Sequence, residues 1–335
     1  MTRRVATIGV SVVLLAAGGC AHGGGGTTIT VYNGQHPQLT TALVAAFERS
    51  TGIHVKTLTN DGVVLADQLL EEGSQTSADV YLTENSPELM LLEEHHLLAP
   101  LPASTLAEAP NQDSSPDGDW VGVALRVSCL AYDPSSASQP GLPDSLLDLA
   151  EPQWRGKVAI APTDSDFFPL VSGVIAVYGR ARALSWLQGL KHNAERYADD
   201  ESVVAAVNRG AAAVGIINQY YWYRLRFEVG AKNMHSALSF FAPDDVGSLV
   251  NISGAAVLAA SKHPRAAQSF VAFLDRAQAQ TTLAQSDDFE YPIRPGTAAN
   301  PALPPFASLA ALQLGVARLG DDAAAAALLQ EAGLA

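Results

Sequence analysis

Basic residues are scarce. Lys and Arg number 20 against 34 Asp and Glu, the formal net charge is −14 and the isoelectric point is near 4.9. A nucleic-acid partner is thereby excluded, because binding phosphate backbones needs a basic face. Cysteine is rarer still, with 2 in 335 residues, at Cys20 and Cys129. At most one intrachain disulfide exists, and none does if Cys20 is otherwise used. No long apolar run follows the N-terminal one, so the body of the chain is expected to be soluble. Also missing are a Gly-x-Ser-x-Gly elbow, a phosphate-binding glycine loop and a His-Glu-x-x-His zinc motif. Ser165 and His36 cannot be paired as nucleophile and base from sequence, so no enzyme is expected. What is present is a globular composition, 48% hydrophobic and 16% charged. The length suits one large or two medium α/β domains.

The N-terminus carries a targeting pattern. Arg3 and Arg4 precede an apolar run from Val5 to Ala17, followed by Gly18, Gly19 and Cys20. The run is short for a membrane span and ends in small residues, as a cleaved signal does. A cysteine at the cut resembles a bacterial lipobox, with residues 1–19 removed and Cys20 lipidated; a plain secretory signal is the alternative. Removal takes away Arg3 and Arg4 and no acid, moving the charge from −14 to −16. Residues 20–27 are Gly-rich and read as a flexible tether. Cys129, in an apolar strand-like run, is expected to be a buried small hydrophobe.

Strand and helix patterns then alternate. Thr28 to Val31 alternates as a strand and breaks at Asn33-Gly34. Leu39, Leu43, Val44 and Phe47 share one helical face behind Pro37, and Gly52 stops that helix before a strand at Ile53 to Lys56. Further strands are expected at Ala78–Leu82, Val121–Leu125, Val158–Ile160, Val214–Ile217 and Ala255–Leu258, with a helix at His263–Leu274 and a helical tail over Ala310–Leu334. The fold class is α/β, with mostly parallel sheets covered by helices.

Open parallel sheets bind ligands beyond the carboxyl ends of their strands. The polar residues there are Asn33, Gln35 and His36; Thr83, Glu84 and Asn85; Thr163, Asp164, Ser165 and Asp166; and Asn218, Gln219, Tyr220 and Tyr221. Each has a plainer use. His36 fits a helix cap, Glu84 a first-turn acid favoured by the helix dipole, and Tyr-Tyr-Trp-Tyr an aromatic core. Their common position at the binding edge favours a site. The adjacent tyrosines narrow its chemistry. Phenolate is the most basic anionic oxygen in a protein, and free tyrosine titrates near roughly pH 10. Only a strongly polarising hard cation holds two of them deprotonated at neutral pH. Two phenolates and Glu84 match the charge of Fe(III), and His36 adds a neutral ligand. Zn(II) would more often bring further His or Cys. The run Glu93-Glu94-His95-His96 points in several directions on a helix and reads as a solvated terminus.

The chain also resembles the bacterial ferric-ion-binding proteins, the class II, transferrin-like members of the periplasmic substrate-binding superfamily. The likeness runs from about Ile29 to Leu334, on Val31-Tyr32-Asn33-Gly34-Gln35-His36, Ala78 to Glu84, Trp154-Arg155-Gly156-Lys157, Asn218 to Tyr223, Ser253 to Val257 and Tyr291-Pro292. It implies a two-lobed clamshell, each lobe a mostly parallel sheet flanked by helices, with hinge strands between. Iron sits in the cleft on His36, Glu84, Tyr220 and Tyr221; Trp222 and Tyr223 are packing residues. The implied lobes are residues 28–126 with 250–300 and residues 127–249 with 301–335. The likeness further implies an ABC-transporter permease as partner; a monomer is expected, attached to the membrane through the lipid that the lipobox pattern places on Cys20.

The departures lie at the exogenous anion. Relatives hold phosphate or carbonate with small or amide residues where this chain has Asp164, Ser165, Asp166 and Asp200. Carboxylates there repel phosphate unless protonated or turned away. Asn85, Thr163 and Asn218 keep polar character nearby, and Arg126 falls where relatives have an arginine near the cleft. Phosphate is therefore not expected as the synergistic anion; water or one of the aspartates completes the shell. The rival is a related binding protein for a sugar, a polyamine, thiamine or an oxyanion, which the fold alone permits.

Overall fold

The computed structural model describes residues 26–136 and 141–335; the expected signal peptide, 1–19, and Cys20 lie outside the described residues. Among those described, no helix is long and apolar enough to cross a membrane. Eleven strands form among the described residues, in chain order β1 Thr28–Gly34, β2 His54–Thr59, β3 Val80–Thr83, β4 Leu98–Ala99, β5 Trp120–Tyr132, β6 Val158–Ile160, β7 Ala194–Arg196, β8 Val214–Asn218, β9 Ala237–Ser239, β10 Val250–Leu258 and β11 Tyr291–Pro292. They join in the order β2-β1-β3-β10-β5-β8-β6-β7.

The pairing is parallel at both ends, in β2-β1-β3 and in β8-β6-β7, as β-α-β repetition dictates. Through the middle it is antiparallel, because two long strands, β5 and β10, run alongside each other and against both ends. Strand β5 spans both halves. Its first part, Trp120 to Val127, pairs with β10 and β11, and its last part, Ser128 to Tyr132, pairs with β8 and β9. Two separate apolar cores result. One is built on Val31, Phe47, Tyr81, Trp120 and Phe270, the other on Trp154, Leu170, Trp186, Leu187 and Leu328.

The helix Pro37–Thr51 buries Leu39, Leu43, Ala46 and Phe47, with Pro37 in its first turn, where a missing N–H costs nothing. It ends at Gly52, in the left-handed region at φ 71°, whose N–H donates to the Glu48 carbonyl at 2.8 Å. The tail departs from a continuous helix. Ala310 turns left-handed at φ 48°, Leu312 bridges to Leu249, and helix is confined to Val316–Leu319 and Ala323–Ala332. Glycines 315 and 320, both at φ 72°, break it on either side of the short helix. Cys129 is buried in β5 and free.

One core residue carries a stability cost. Asp275 follows the helix Pro264–Leu274, is fully buried, and neither of its carboxyl oxygens has a hydrogen-bond partner among the described residues. Burial pushes its carboxyl well above the usual 3.8. The folded chain therefore keeps a proton that the unfolded chain releases, so stability falls as pH rises past the ordinary carboxylate range, by at most about 1.4 kcal/mol per pH unit. Asp275→Asn is expected to remove this slope. In thermal melts the variant should match the unaltered protein near about pH 4 and exceed it at about pH 7. Equal melting temperatures at neutral pH would contradict the account.

Candidate metal centre

Four strand ends and the middle of a fifth strand meet at one place. Strand β1 delivers His36, β3 delivers Glu84 and Asn85, β5 carries Arg126 along its length, the turn after β6 delivers Asp166, and β8 opens into the helix Gln219–Val229 with Tyr220 and Tyr221 in its first turn. His36 and Asn85 stand at the N-caps of their helices without making side-chain caps, and so does Asp166 ahead of the helix Phe167–Tyr178. Their side chains are free to face one another instead of binding the helix ends.

The hydroxyls of Tyr220 and Tyr221 both reach Asp166 Oδ2, at 2.9 and 3.1 Å. The Tyr220 hydroxyl also lies 3.2 Å from Glu84 Oε2. The other oxygen of Glu84 is 3.3 Å from His36 Nε2. The rings of Tyr220 and Tyr221 lie 4.1 Å apart, and the His36 ring meets Tyr220 edge-on at 5.0 Å. Asp166 Oδ1 accepts from Arg126 Nη2 at 3.0 Å, and the same nitrogen donates to Asn85 Oδ1 at 2.5 Å. The four expected ligands thus come together around a carboxylate held by a buried arginine.

The remaining candidates divide. Asp164 is turned into the backbone, accepting from the amides of Asp166 at 3.0 Å and Asp200 at 3.1 Å. Asp200 accepts from the amide of Asn218 at 3.2 Å, and Asn218 Oδ1 faces Asn251 at 3.0 Å. Thr163 is exposed and Ser165 half-buried; the hydrogen bonds described around the phenols include neither. Among the described residues no group of three His, Cys, Asp or Glu side chains suits a metal by itself. Phenols supply two of the four candidate ligands here. Glu93 lies buried in the last turn of its helix, taking a hydrogen bond from Ser115, and His96 turns left-handed just beyond at φ 56°.

Three further charged residues face the site without following a strand end directly. Arg224 sits one helical turn beyond Tyr220 and Tyr221, with its guanidinium 5.9 Å from the Tyr221 ring centroid and 3.5 Å from Glu201. Asp288 and Glu290 approach the far side of His36, at 3.8 and 3.9 Å from Nδ1. An arginine three or four positions after a tyrosine on a helix is a signal in principle. The two acids precede Tyr291-Pro292 and follow no strand, so nothing local marks them.

The electrostatics are those of a site in need of a cation. Burial drives the Tyr220 and Tyr221 hydroxyls well above 10, and the charges of Asp166 and Glu84 push them further. Burial likewise raises Glu84 well above its ordinary value, with Asp166 adding to it. Burial would raise Asp166 too, but Arg126 and the Tyr220 and Asn218 hydrogen bonds hold it below the usual range. Burial, then the Arg224 charge, lowers His36 to about 3, so the imidazole is neutral and its nitrogen lone pair available.

Residues 76–313 match the family described as bacterial extracellular solute-binding proteins. The chain belongs to this family. The solute-binding protein is 39% identical over 307 residues to the Fe(3+)-binding periplasmic protein of Serratia marcescens, covering 91% of this chain and 90% of that one. It is 38% identical over 308 residues to the major ferric iron-binding protein of Neisseria meningitidis serogroup B, covering 91% and 93%. Among solved structures, iron-bound HitA from Pseudomonas aeruginosa superposes with a TM-score of 0.88 at 42% identity, over 92% of this chain and all of that one (100%). A Trichodesmium protein in complex with iron and citrate gives 0.80 at 26% identity, with 92% and 100% covered. The two-cored α/β architecture is the one these solute-binding proteins share, and the family is a transport component with no enzymatic step.

Proposed function

We propose that this chain captures Fe(III) between two lobes outside the cytoplasm and hands it to an ABC importer. The observation that carries the reading is the convergence of two adjacent phenols, a carboxylate and a neutral imidazole. Tyr220, Glu84 and His36 follow one another at 3.2 and 3.3 Å, and Tyr221 shares Asp166 with Tyr220. The protein ligands are His36 Nε2, Glu84 and the oxygens of Tyr220 and Tyr221. Asp166 takes the place of an exogenous anion. Its Oδ2 already sits beside both phenol oxygens, while Arg126 offsets its charge. Asp164 and Asp200 stay on backbone amides and serve the turn.

In this reading residues 28–126 with 250–300 form one lobe, carrying His36 and Glu84. Residues 127–249 with 301–335 form the other, carrying Tyr220, Tyr221 and Asp166. A cation bound by both favours the closed state through its differential affinity. The protein works as a monomer, tethered through a lipid on Cys20, and the permease recognises the closed form.

Phenol protons leave as the ion enters, because a trivalent cation outcompetes a proton for phenolate oxygen. Stripping the purified protein of metal and titrating it with ferric salt in phosphate-free buffer is expected to give a purple-red colour from tyrosinate-to-iron charge transfer, saturating at one iron per chain. A binding protein for a sugar, a polyamine or thiamine would stay colourless, and that outcome would overturn the reading.

A further inference from the structure

We propose that Asp288 is a positioning residue for His36, accepting the hydrogen of Nδ1 so that Nε2 is presented to the metal. The inference rests on the ferric reading of the site above and names how one ligand is held there. His36 Nε2 lies 3.3 Å from Glu84, whereas Nδ1 is buried and without a hydrogen-bond partner among the described residues. A ring nitrogen that carries a proton in such a place needs an acceptor. A metal-bound imidazole nearly always gives its second N–H to a carboxylate, carbonyl or water.

Two carboxylates stand behind the ring, and they are not equivalent. Glu290 Oε1, 3.9 Å from Nδ1, is already occupied by Gln35 Nε2 at 3.3 Å. Asp288 Oδ1 is nearer, at 3.8 Å, and the second oxygen of the same carboxylate is buried without any partner. An unpartnered ring nitrogen therefore faces the Oδ1 of a carboxylate whose Oδ2 is itself unpartnered, and less than about 1 Å of ring or carboxylate movement gives a hydrogen bond of ordinary length. Burial raises the Asp288 carboxyl to about 6, and Arg224, on the tyrosine-bearing helix, acts against that rise.

The segment is anchored well enough to position a ligand. Phe289 adopts a left-handed backbone at φ 57°, and its carbonyl accepts from Gln219 Nε2 at 3.1 Å. Its ring lies 5.8 Å from that of Tyr223 and 6.2 Å from that of Phe227. Asp288 thus lies between the His36 loop and the helix that supplies both phenols.

The test uses the full chain labelled with nitrogen-15, metal-free and loaded with Ga(III) as a diamagnetic substitute for iron. Imidazole nitrogen spectra are expected to show His36 protonated at Nδ1 and unprotonated at Nε2 in both forms. In Asp288→Ala the Nδ1 proton should exchange faster and the two neutral tautomers mix. Fe(III) affinity should fall about tenfold to hundredfold, with the tyrosinate band unmoved in wavelength. Asp288→Asn retains an acceptor oxygen and should recover most of both effects. Unchanged imidazole shifts and affinity in Asp288→Ala would overturn the proposal, and so would Glu290→Gln alone reproducing the changes. Failure of the unaltered protein to take up Fe(III) would overturn the ferric function instead, whereas the metal-free spectra decide Asp288 independently.

Discussion

Exchanging Tyr221 for Phe is expected to cost the protein at least about a hundredfold in Fe(III) affinity while leaving it folded. The ring stays, and with it the 4.1 Å contact to Tyr220 and the Arg224 guanidinium 5.9 Å from the ring centroid. In the metal-free protein only one hydrogen bond disappears, the 3.1 Å contact to Asp166, worth about 1 kcal/mol. In the loaded protein an anionic ligand disappears. Removing one partner of a buried charge pair costs about 3–5 kcal/mol, which corresponds to about a hundredfold to a few thousandfold at about 1.4 kcal/mol per decade. A trivalent ion makes that a lower bound. The visible band should weaken and shift, and Tyr220→Phe with Tyr221→Phe should abolish it. A thermal melt of the metal-free variant separates the two effects. A variant that binds and colours as before would remove Tyr221 from the site, whatever its stability.

The convergence of the four candidate ligands was legible in sequence because each member follows a strand directly. His36 comes two residues after β1, Glu84 one after β3, and Tyr220 two after β8. A side chain so placed needs no long-range information to be put at the sheet's binding edge. The turn after β6 was harder. Asp164, Ser165 and Asp166 read alike as polar turn residues, and only the packed backbone tells them apart. The amides of Asp166 and Asp200 claim Asp164, leaving Asp166 to Arg126 and the phenols. Asp288 and Glu290 were invisible, because they reach His36 on a segment about 250 residues away in sequence. Its path is set by Phe289 packing on Tyr223 and by β11 pairing with β5. The antiparallel centre of the sheet was missed for a related reason. Strand order is decided by where long strands return, and alternation within β5 and β10 carries no record of that. In the tail, Ala and Leu richness suggested one helix, while the left-handed turns at Ala310, Gly315 and Gly320 divide it.

Asp166→Asn is expected to convert anion-independent iron loading into anion-assisted loading. The unaltered site brings two phenols, Glu84 and Asp166 to the ion, and Arg126 balances the extra negative charge at 3.0 Å from Asp166. Arg126 is fully buried, and its Nε and Nη1 have no hydrogen-bond partners among the described residues. Neutralising Asp166 removes the ion-pair partner of this guanidinium and leaves its Nη2 only neutral amide oxygens as hydrogen-bond acceptors. The cost is again about 3–5 kcal/mol, shared between the metal-free fold and the metal site. A small anion that reached the ion could bind Arg126 bidentately and restore the balance, since guanidinium matches carboxylate and phosphate geometry. Ferric titrations should therefore show a loss of at least about a hundredfold for Asp166→Asn in anion-free buffer, with a large part recovered by millimolar phosphate or citrate. The unaltered protein should load equally well with and without phosphate. If it instead requires phosphate, Asp166 does not occupy the anion's place, and the contact to both phenols in the metal-free protein is one the metal displaces.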